Sequence, residues 1–439
     1  MKIACLGNMN NMTFQIGRYL LDEKHDVTFF LFEEFDHFLP QADTYEDVSN
    51  YKIVNLNWSR ENYFEYSSNE ICEKVKGFDF YIGTDIAPAF FFKAGLRLDV
   101  FFPHGNDLYD YAFPKYKNTP PQLWEIKLFI TGKAQFEGIK KANYFSMDLS
   151  EEVNETPLKI IRGQKGKRVD GPPFLYLPQY DSELFNKKRP KNALSDIRNN
   201  YKFIVFQHSS QDWSSRGPYK INKGNNVLIN AFAAYLKKGE NKNDSLLVLV
   251  EYGTDVEKSK ELIKELGIAS NVKWLPKMFR KDIMAAISEC DICVGELGPR
   301  FWFSYSCICE FIAMKKPVIH HRNDAHYKKL GLELYPMVDA STAEEVCSAF
   351  ENYRKDPAPF RKMGEEASEW LQKRTKASLD IYEGILKAKQ NNELQSNVIP
   401  LMSLQKFLFV SKPILICTYF FLLIETMKLN VKHKWLKAS

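Results

Sequence analysis

The chain has 439 residues, 45% of them hydrophobic and 26% charged, a mix that supports two or three folded domains, each with its own core. The net charge of +5 is modest. Lys and Arg are spread along the chain, with small clusters at Lys187-Lys188-Arg189 and Lys237-Lys238, which argues against a dedicated nucleic-acid binder.

Met1 to Leu6 opens on an apolar run with no leader segment ahead of it, so a cytoplasmic, reducing setting is expected. The run predicts a strand over 2–6, closed by Gly7-Asn8-Met9-Asn10-Asn11. A helical stretch follows, with Phe14, Ile16, Tyr19, Leu20 and Leu21 apolar, and then a strand over 26–31. This strand–loop–helix–strand order begins a doubly wound parallel sheet. Further strands are predicted at 52–54, 80–82, 100–102 and 144–146. A charged stretch at 187–199, with Pro190 inside it, marks a boundary.

A second series starts near residue 202. Strands are predicted at 203–206, 246–250, 272–275, 292–294 and 318–320, alternating with helices near 227–236, 256–266, 281–288 and 304–314. Such regular alternation predicts a second Rossmann-like unit. After residue 340 the pattern turns helical, at 343–353 and along a charged stretch from 360 to 389. The chain is thus divided into α/β domains at 1–190 and 200–375, a helix at 376–395 returning toward the first domain, and a tail at 401–439. Within that tail Pro413 to Ile424 is uncharged and apolar, flanked by Lys406, Lys412, Lys428, Lys432, Lys434 and Lys437. It is too short to span a bilayer comfortably and is expected to lie on a membrane surface, with packing on the protein as the alternative.

Cys290-x-x-Cys293 and Cys307-x-Cys309 have a spacing that invites a zinc reading. Cys293 falls in an apolar strand and the second pair in an apolar helix, so convergence on one metal is not expected, and no metal site is assigned.

Open α/β sheets bind ligands at the carboxyl ends of their strands. In the second unit the loop from Gln207 to Gly224 is long and polar and carries Arg216 and Lys223 just before a helix. A helix start already attracts anions, and two cations add to it, so a pyrophosphate suits the place. Glu310 is the single ionisable residue in an otherwise uncharged run from Phe301 to Met314. A buried carboxylate needs a partner or a ligand. Glu310 either accepts two hydroxyl bonds from a ribose diol or pairs with a Lys or Arg. Ser304 and Ser306 stand at the start of the same helix, a second anion-binding terminus. Glu296, after the preceding strand, either meets a sugar or caps the turn. In the first unit His104 directly follows an apolar strand, where it meets a sugar hydroxyl or serves structure. Gly7 lets a ligand approach closely. Asn8, Asn10 and Asn11 either bond an acceptor or build the turn.

Together these pieces resemble GT-B glycosyltransferases, and within them the retaining family-4 group. Arg216, then Lys223-Gly224-Asn-Asn-Val-Leu-Ile-Asn-Ala-Phe232, is similar to that family's Arg…Lys-Gly segment. Asn271-Val-Lys-Trp-Leu-Pro276 resembles a family strand, and Glu310-Phe-Ile-Ala-Met-Lys-Lys-Pro-Val-Ile319 resembles its Glu-Ala-Met-Ala block. His104-Gly105 resembles the His-Gly of the first domain. The resemblance implies two Rossmann-like domains facing a cleft, the first on the acceptor side and the second holding a nucleotide sugar. By it, Arg216 and Lys223 neutralise the leaving diphosphate, with Gly224 beside them, and Glu310 holds the ribose. His104 contacts the donor sugar. It further implies metal-independent transfer with retention and no cofactor beyond the nucleotide-diphosphate sugar. The acceptor is then a glycan or a lipid-linked sugar, in cell-envelope polysaccharide synthesis at the inner face of the cytoplasmic membrane. The family's second Glu, eight positions before Glu310, is replaced by Trp302, and the Gly of the block by Lys316. A nucleotide-sugar epimerase of the same fold and a non-catalytic glycan-binding homologue are the alternatives. A Rossmann dehydrogenase is the weakest alternative, because the loop after Leu6 has one glycine and cannot make the Gly-x-Gly-x-x-Gly turn.

Overall fold

The computed structural model describes residues 1–399 except 33–35, 114–121, 147–167, 170, 172, 174, 181, 189–193, 215–221, 239–242, 299–304 and 330–332. The first domain runs β1 (Lys2–Leu6), α1 (Met12–Asp22), β2 (Asp26–Leu31), β3 (Lys52–Asn55), α2 (Ser68–Val75) and β4 (Phe80–Thr84). It continues through α3 (Ala87–Lys93), β5 (Val100–Phe102), α4 (Asn106–Tyr109), α5 (Leu123–Lys141), β6 (Tyr144–Ser146) and β7 (Arg168–Val169). The sheet order is β3-β2-β1-β4-β5-β6-β7, and every pairing is parallel. The central strand β1 shows why these residues make strands. Ala4 and Leu6 enter the core on one face, while Ile3 and Cys5 enter the core on the other. A strand covered on both faces reads as a continuous apolar run, which is how it appears in the sequence.

The helix α6 (Ser182–Lys188) leads to the second domain. There β8 (Phe203–Gln207), α7 (Asn225–Lys237), β9 (Ser245–Val250), α8 (Val256–Glu265), β10 (Val272–Leu275), α9 (Arg280–Ser288) and β11 (Ile292–Val294) follow in turn. Next come α10 (Tyr305–Ala313), β12 (Val318–His320), α11 (Asp324–Lys329), β13 (Val338–Asp339), α12 (Ala343–Lys355) and α13 (Ala358–Gln390). The sheet order is β10-β9-β8-β11-β12-β13, again all parallel. In both sheets the order of strand addition reverses beside the first strand, between β1 and β4 and between β8 and β11. Those reversals open crevices at the strand ends.

One long helix joins the halves. In α13, Ala367, Trp370 and Leu371 pack into the second domain's core, and Tyr382, Ile385 and Leu386 into the first domain's. Each trio has the i, i+3, i+4 spacing of one helix face. The chain after α13 is fastened to the first domain. Lys389 pairs with Asp99 at 2.7 Å, Asn397 donates to Asp99 at 2.9 Å, and the Ile399 amide donates to the Gly95 carbonyl at 2.7 Å.

Most predicted strands fall within two residues of their observed bounds. The short β7 and β13, and the helices α3 and α5, carry too little periodicity to have been read. The charged stretch from 360 to 389 is a single helix beginning at Ala358, so the helix that returns to the first domain starts well inside the second. The apolar tail at 401–439 lies outside the described residues, and no described helix is long and apolar enough to cross a membrane. Cys290, Cys293 and Cys309 are buried. Among the described residues the two cysteine pairs do not gather into one metal-ligand group.

Candidate functional site

The loop after β8 is held by polar side chains at both ends. Gln207 donates to the Gly295 carbonyl at 2.9 Å and accepts from Asn225 at 3.0 Å, tying β8, β11 and α7 together. Asp255, at the start of α8, accepts from the Ser214 hydroxyl at 2.6 Å and from the backbone amides of Ser214 and Trp213 at 2.7 and 2.8 Å; against the opposing effect of burial these bonds, with Lys258, hold its carboxyl low. At the far end Gly224 has φ of +70°, and a Cβ there would lie 2.6 Å from the Leu297 carbonyl carbon. Only glycine lets this loop lie flat against the loop after β11. The Leu297 amide then donates to the Lys223 carbonyl at 2.9 Å. This contact sets Lys223 beside Glu296, Nζ to Oε1 at 2.7 Å. Burial favours a neutral lysine, but the Glu296 carboxylate outweighs it and raises the Lys223 pKa, so the charge is kept.

Glu310 sits in α10 with its side chain 5% exposed and takes two cationic partners. Its Oε1 accepts from Arg280 Nε at 2.9 Å, and its Oε2 lies 3.0 Å from His208 Nε2. Against the penalty of burial these two hold the Glu310 carboxyl below its ordinary range. Burial would likewise depress His208, but Cys307 and Glu310 prevail and push it up to about 10. The other ring nitrogen of His208 is 3.8 Å from Cys307 Sγ. Arg280 reaches across to the first domain as well. It donates to Asp43 Oδ1 at 3.0 Å and to the Asn10 carbonyl at 3.1 Å. The carboxylate read as either a ribose ligand or half of an ion pair is thus paired, and it also faces the cleft.

On the first-domain side, Gly7 has φ of +76°, and a Cβ there would press on Thr84 at 2.7 Å. Asn8 and Asn11 bond each other at 2.9 Å; Asn8 also bonds the Phe38 carbonyl, and Asn11 the His37 carbonyl at 2.9 Å. Their side chains are engaged within the loop; Asn10, at φ of +53°, is exposed and lines both the inter-domain cleft and a smaller cavity, and Asn11 also lines the cleft. His104 is fixed by its own backbone amide, which donates to Asp107 at 2.8 Å. Burial lowers its ring pKa to about 3, so the imidazole is neutral. It lines a cavity of about 210 Å³ with Asn10, Asp85, Asp107 and Tyr111.

Between the domains lies a cleft of about 600 Å³. Asn10, His37 and Phe38 border it from the first domain; Ser209, Ser210, Lys223, Tyr252, Lys277, Phe279, Arg280 and Glu310 border it from the second. Glu296 is set behind Lys223 as its partner. Arg216 and Ser304 lie outside the described residues, as do Trp302 and the side chain of Ser306. A groove of similar size, about 570 Å³, runs between α13 and the far ends of α9 and α10, away from these polar groups. His208, Cys307 and Glu310 each offer one ligand atom within 4.8 Å of the others. The Arg280 guanidinium on the same carboxylate opposes a cation there.

His208, Arg280 and Asp43 were not singled out from sequence. His208 lies two residues beyond the strand read at 203–206, just as His104 lies two beyond the strand at 100–102, so a signal existed for it. None marked Asp43 as the partner of Arg280.

Residues 215–296 match the family model for group 1 glycosyl transferases. A search of curated proteins found no match. Among solved structures, HepE from Anabaena in complex with UDP-glucose is 15% identical with a TM-score of 0.56, covering 89% of this chain and 100% of that one. A glycosyltransferase from Rickettsia africae gives 14% and 0.50, covering 94% and 97%. WaaG, a glycosyltransferase involved in lipopolysaccharide biosynthesis, gives 16% and 0.50, covering 85% and 95%. This is the GT-B fold. In GT-B terms the described cleft is the one between the two Rossmann-like domains, where the carboxyl ends of both sheets meet.

Proposed function

We propose that the protein is a glycosyltransferase that takes a sugar from a nucleotide-diphosphate sugar. The observation that carries this is the meeting of Lys223 and Glu310 in one cleft, at the strand ends of a GT-B fold. A cation just ahead of a helix start suits a leaving diphosphate, and a fixed carboxylate suits a ribose diol. The HepE complexes with UDP and UDP-glucose support a nucleotide sugar as the co-substrate.

Arg216 adds a second positive charge at the diphosphate, and the start of α10, with Ser304 and Ser306, adds dipole. Charge stabilisation by these groups supports transfer without a metal or other cofactor. Glu296 holds Lys223 in its charged form. His104, neutral and facing the small cavity beside Asn10, meets the donor sugar. The acceptor enters from the first domain past Asn10; the loop residues Gly7, Asn8 and Asn11 give this wall its shape. The likeness to family-4 enzymes supports retention of anomeric configuration. The basic, apolar tail supports a lipid-linked or glycan acceptor at the cytoplasmic membrane face, in cell-envelope polysaccharide synthesis.

The test is to incubate the protein with a panel of nucleotide sugars and follow nucleoside diphosphate release, with and without membrane lipid extract. Acceptor-stimulated release is expected, with product anomers resolved by NMR. Epimerised sugar without transfer would replace this reading with the epimerase one, and binding without turnover would replace it with the glycan-binding one.

A further inference from the structure

Beside the nucleotide-sugar cleft stands a chain of three side chains that the proposed transfer does not use in full. Glu310 Oε2 lies 3.0 Å from His208 Nε2, and His208 Nδ1 lies 3.8 Å from Cys307 Sγ. A carboxylate beside an imidazole that in turn faces a thiol is the general arrangement of an activated sulfur nucleophile. The ring cannot turn away, for it packs edge-on against Phe311 at 5.0 Å and beside Phe206 at 5.7 Å. Cys307 is the third residue of α10, within the first turn, where the helix dipole favours negative charge. It is half-buried and opens onto the cleft.

We propose that Cys307 is a modification site, a thiol that a hydroperoxide oxidises to the sulfenic acid and whose oxidation obstructs the cleft. The thiol releases its proton to solvent beside the charged His208, which recovers one from solvent once the reaction is complete. The sulfur attacks one peroxide oxygen, the S–O bond forms as the O–O bond breaks, and the departing oxygen takes the proton from His208. One thiol and one hydrogen peroxide give one sulfenic acid and one water. A cation held by the same three residues is the weaker reading, because Arg280 sits 2.9 Å from Glu310.

The chain supplies an internal control. Cys72 is also half-buried, but its sulfur faces the Ala94 carbonyl at 3.5 Å, with no imidazole as its partner among the described residues. The full-length protein is treated with hydrogen peroxide and dimedone, and labelling is read peptide by peptide by mass spectrometry. Cys307 is expected to label about tenfold faster than Cys72 or more, and His208→Gln to bring the two rates together. Equal rates at Cys307 and Cys72 in the unmodified sequence overturn the proposal, independently of how the variant folds. Added UDP is expected to slow labelling at Cys307 alone. That arm rests on the proposed donor site: fast labelling indifferent to UDP supports the thiol and overturns the placement of the nucleotide.

Discussion

Arg280 and Asp43 are 237 residues apart in the chain, yet Nη1 of one lies 3.0 Å from Oδ1 of the other across the domain boundary. The Asp43 side chain is fully buried, and the same guanidinium also carries Glu310. Removing the arginine leaves two buried carboxylates without their shared cation. Arg280→Met is therefore expected to destabilise the protein by about 3–5 kcal/mol in denaturant unfolding. Asp43→Asn, which keeps a hydrogen-bond acceptor, is expected to cost less. Equal unfolding midpoints for Arg280→Met and the parent would show that the domains do not depend on this contact.

The same cluster carries a pH signature. The folded pKa of His208 is about 10, above the ordinary value near 6.5 that it regains on unfolding. A group whose pKa rises on folding binds its proton more tightly in the native state. Its contribution is complete below pH 6.5 and is lost as pH climbs through 10. Other groups titrate in this window, so the useful quantity is a difference. The stability gap between the parent and His208→Gln, measured in urea at fixed pH values, is expected to shrink from pH 6.5 to pH 10. A gap constant across that range would mean that His208 is not held charged.

Gly224 offers a backbone test. Alanine there must adopt φ near +70° with its Cβ 2.6 Å from the Leu297 carbonyl carbon. Strain of this kind costs about 1–3 kcal/mol, and relief requires the two loops to part. Gly224→Ala is expected to lower the melting temperature and also to weaken nucleotide binding, because the displaced loop carries Lys223. Gly267 has the same φ with open space around it, so Gly267→Ala is the control for the torsion alone.

How much of this was legible follows from the kind of information each feature carries. Strands such as β1 and β8 are buried on both faces, and their apolar runs could be read directly. Lys223 and Glu310 could be read because each stood out locally: a cation ahead of a helix, a lone charge in an apolar run. Asp43 could not, for it lies in an irregular stretch and gains its meaning only when the domains close. The roles of Asn8 and Asn11 were open for a related reason. An asparagine-rich turn is compatible with ligand contacts and with internal bonds, and the internal bonds to the His37 and Phe38 carbonyls show themselves only once the fold brings those carbonyls near. His208 does carry a local signal, a histidine just beyond the carboxyl end of a strand.

The pair of Lys223 and Glu296 separates charge from packing. If Lys223 stabilises a leaving diphosphate, its worth appears only as negative charge develops in the transition state. Lys223→Met is then expected to lower kcat by about 100- to 1000-fold with a smaller change in donor KM. It also leaves Glu296 buried without its cation, so a stability change alone is not informative. Glu296→Gln provides the contrast, because it removes the partner and keeps the positive charge in the cleft. Its kcat is expected to fall far less than that of Lys223→Met. The double variant should match Lys223→Met in kcat while recovering part of its lost stability. Comparable kcat values for the two single variants would place the function of the pair in holding the loop together, with the diphosphate neutralised elsewhere.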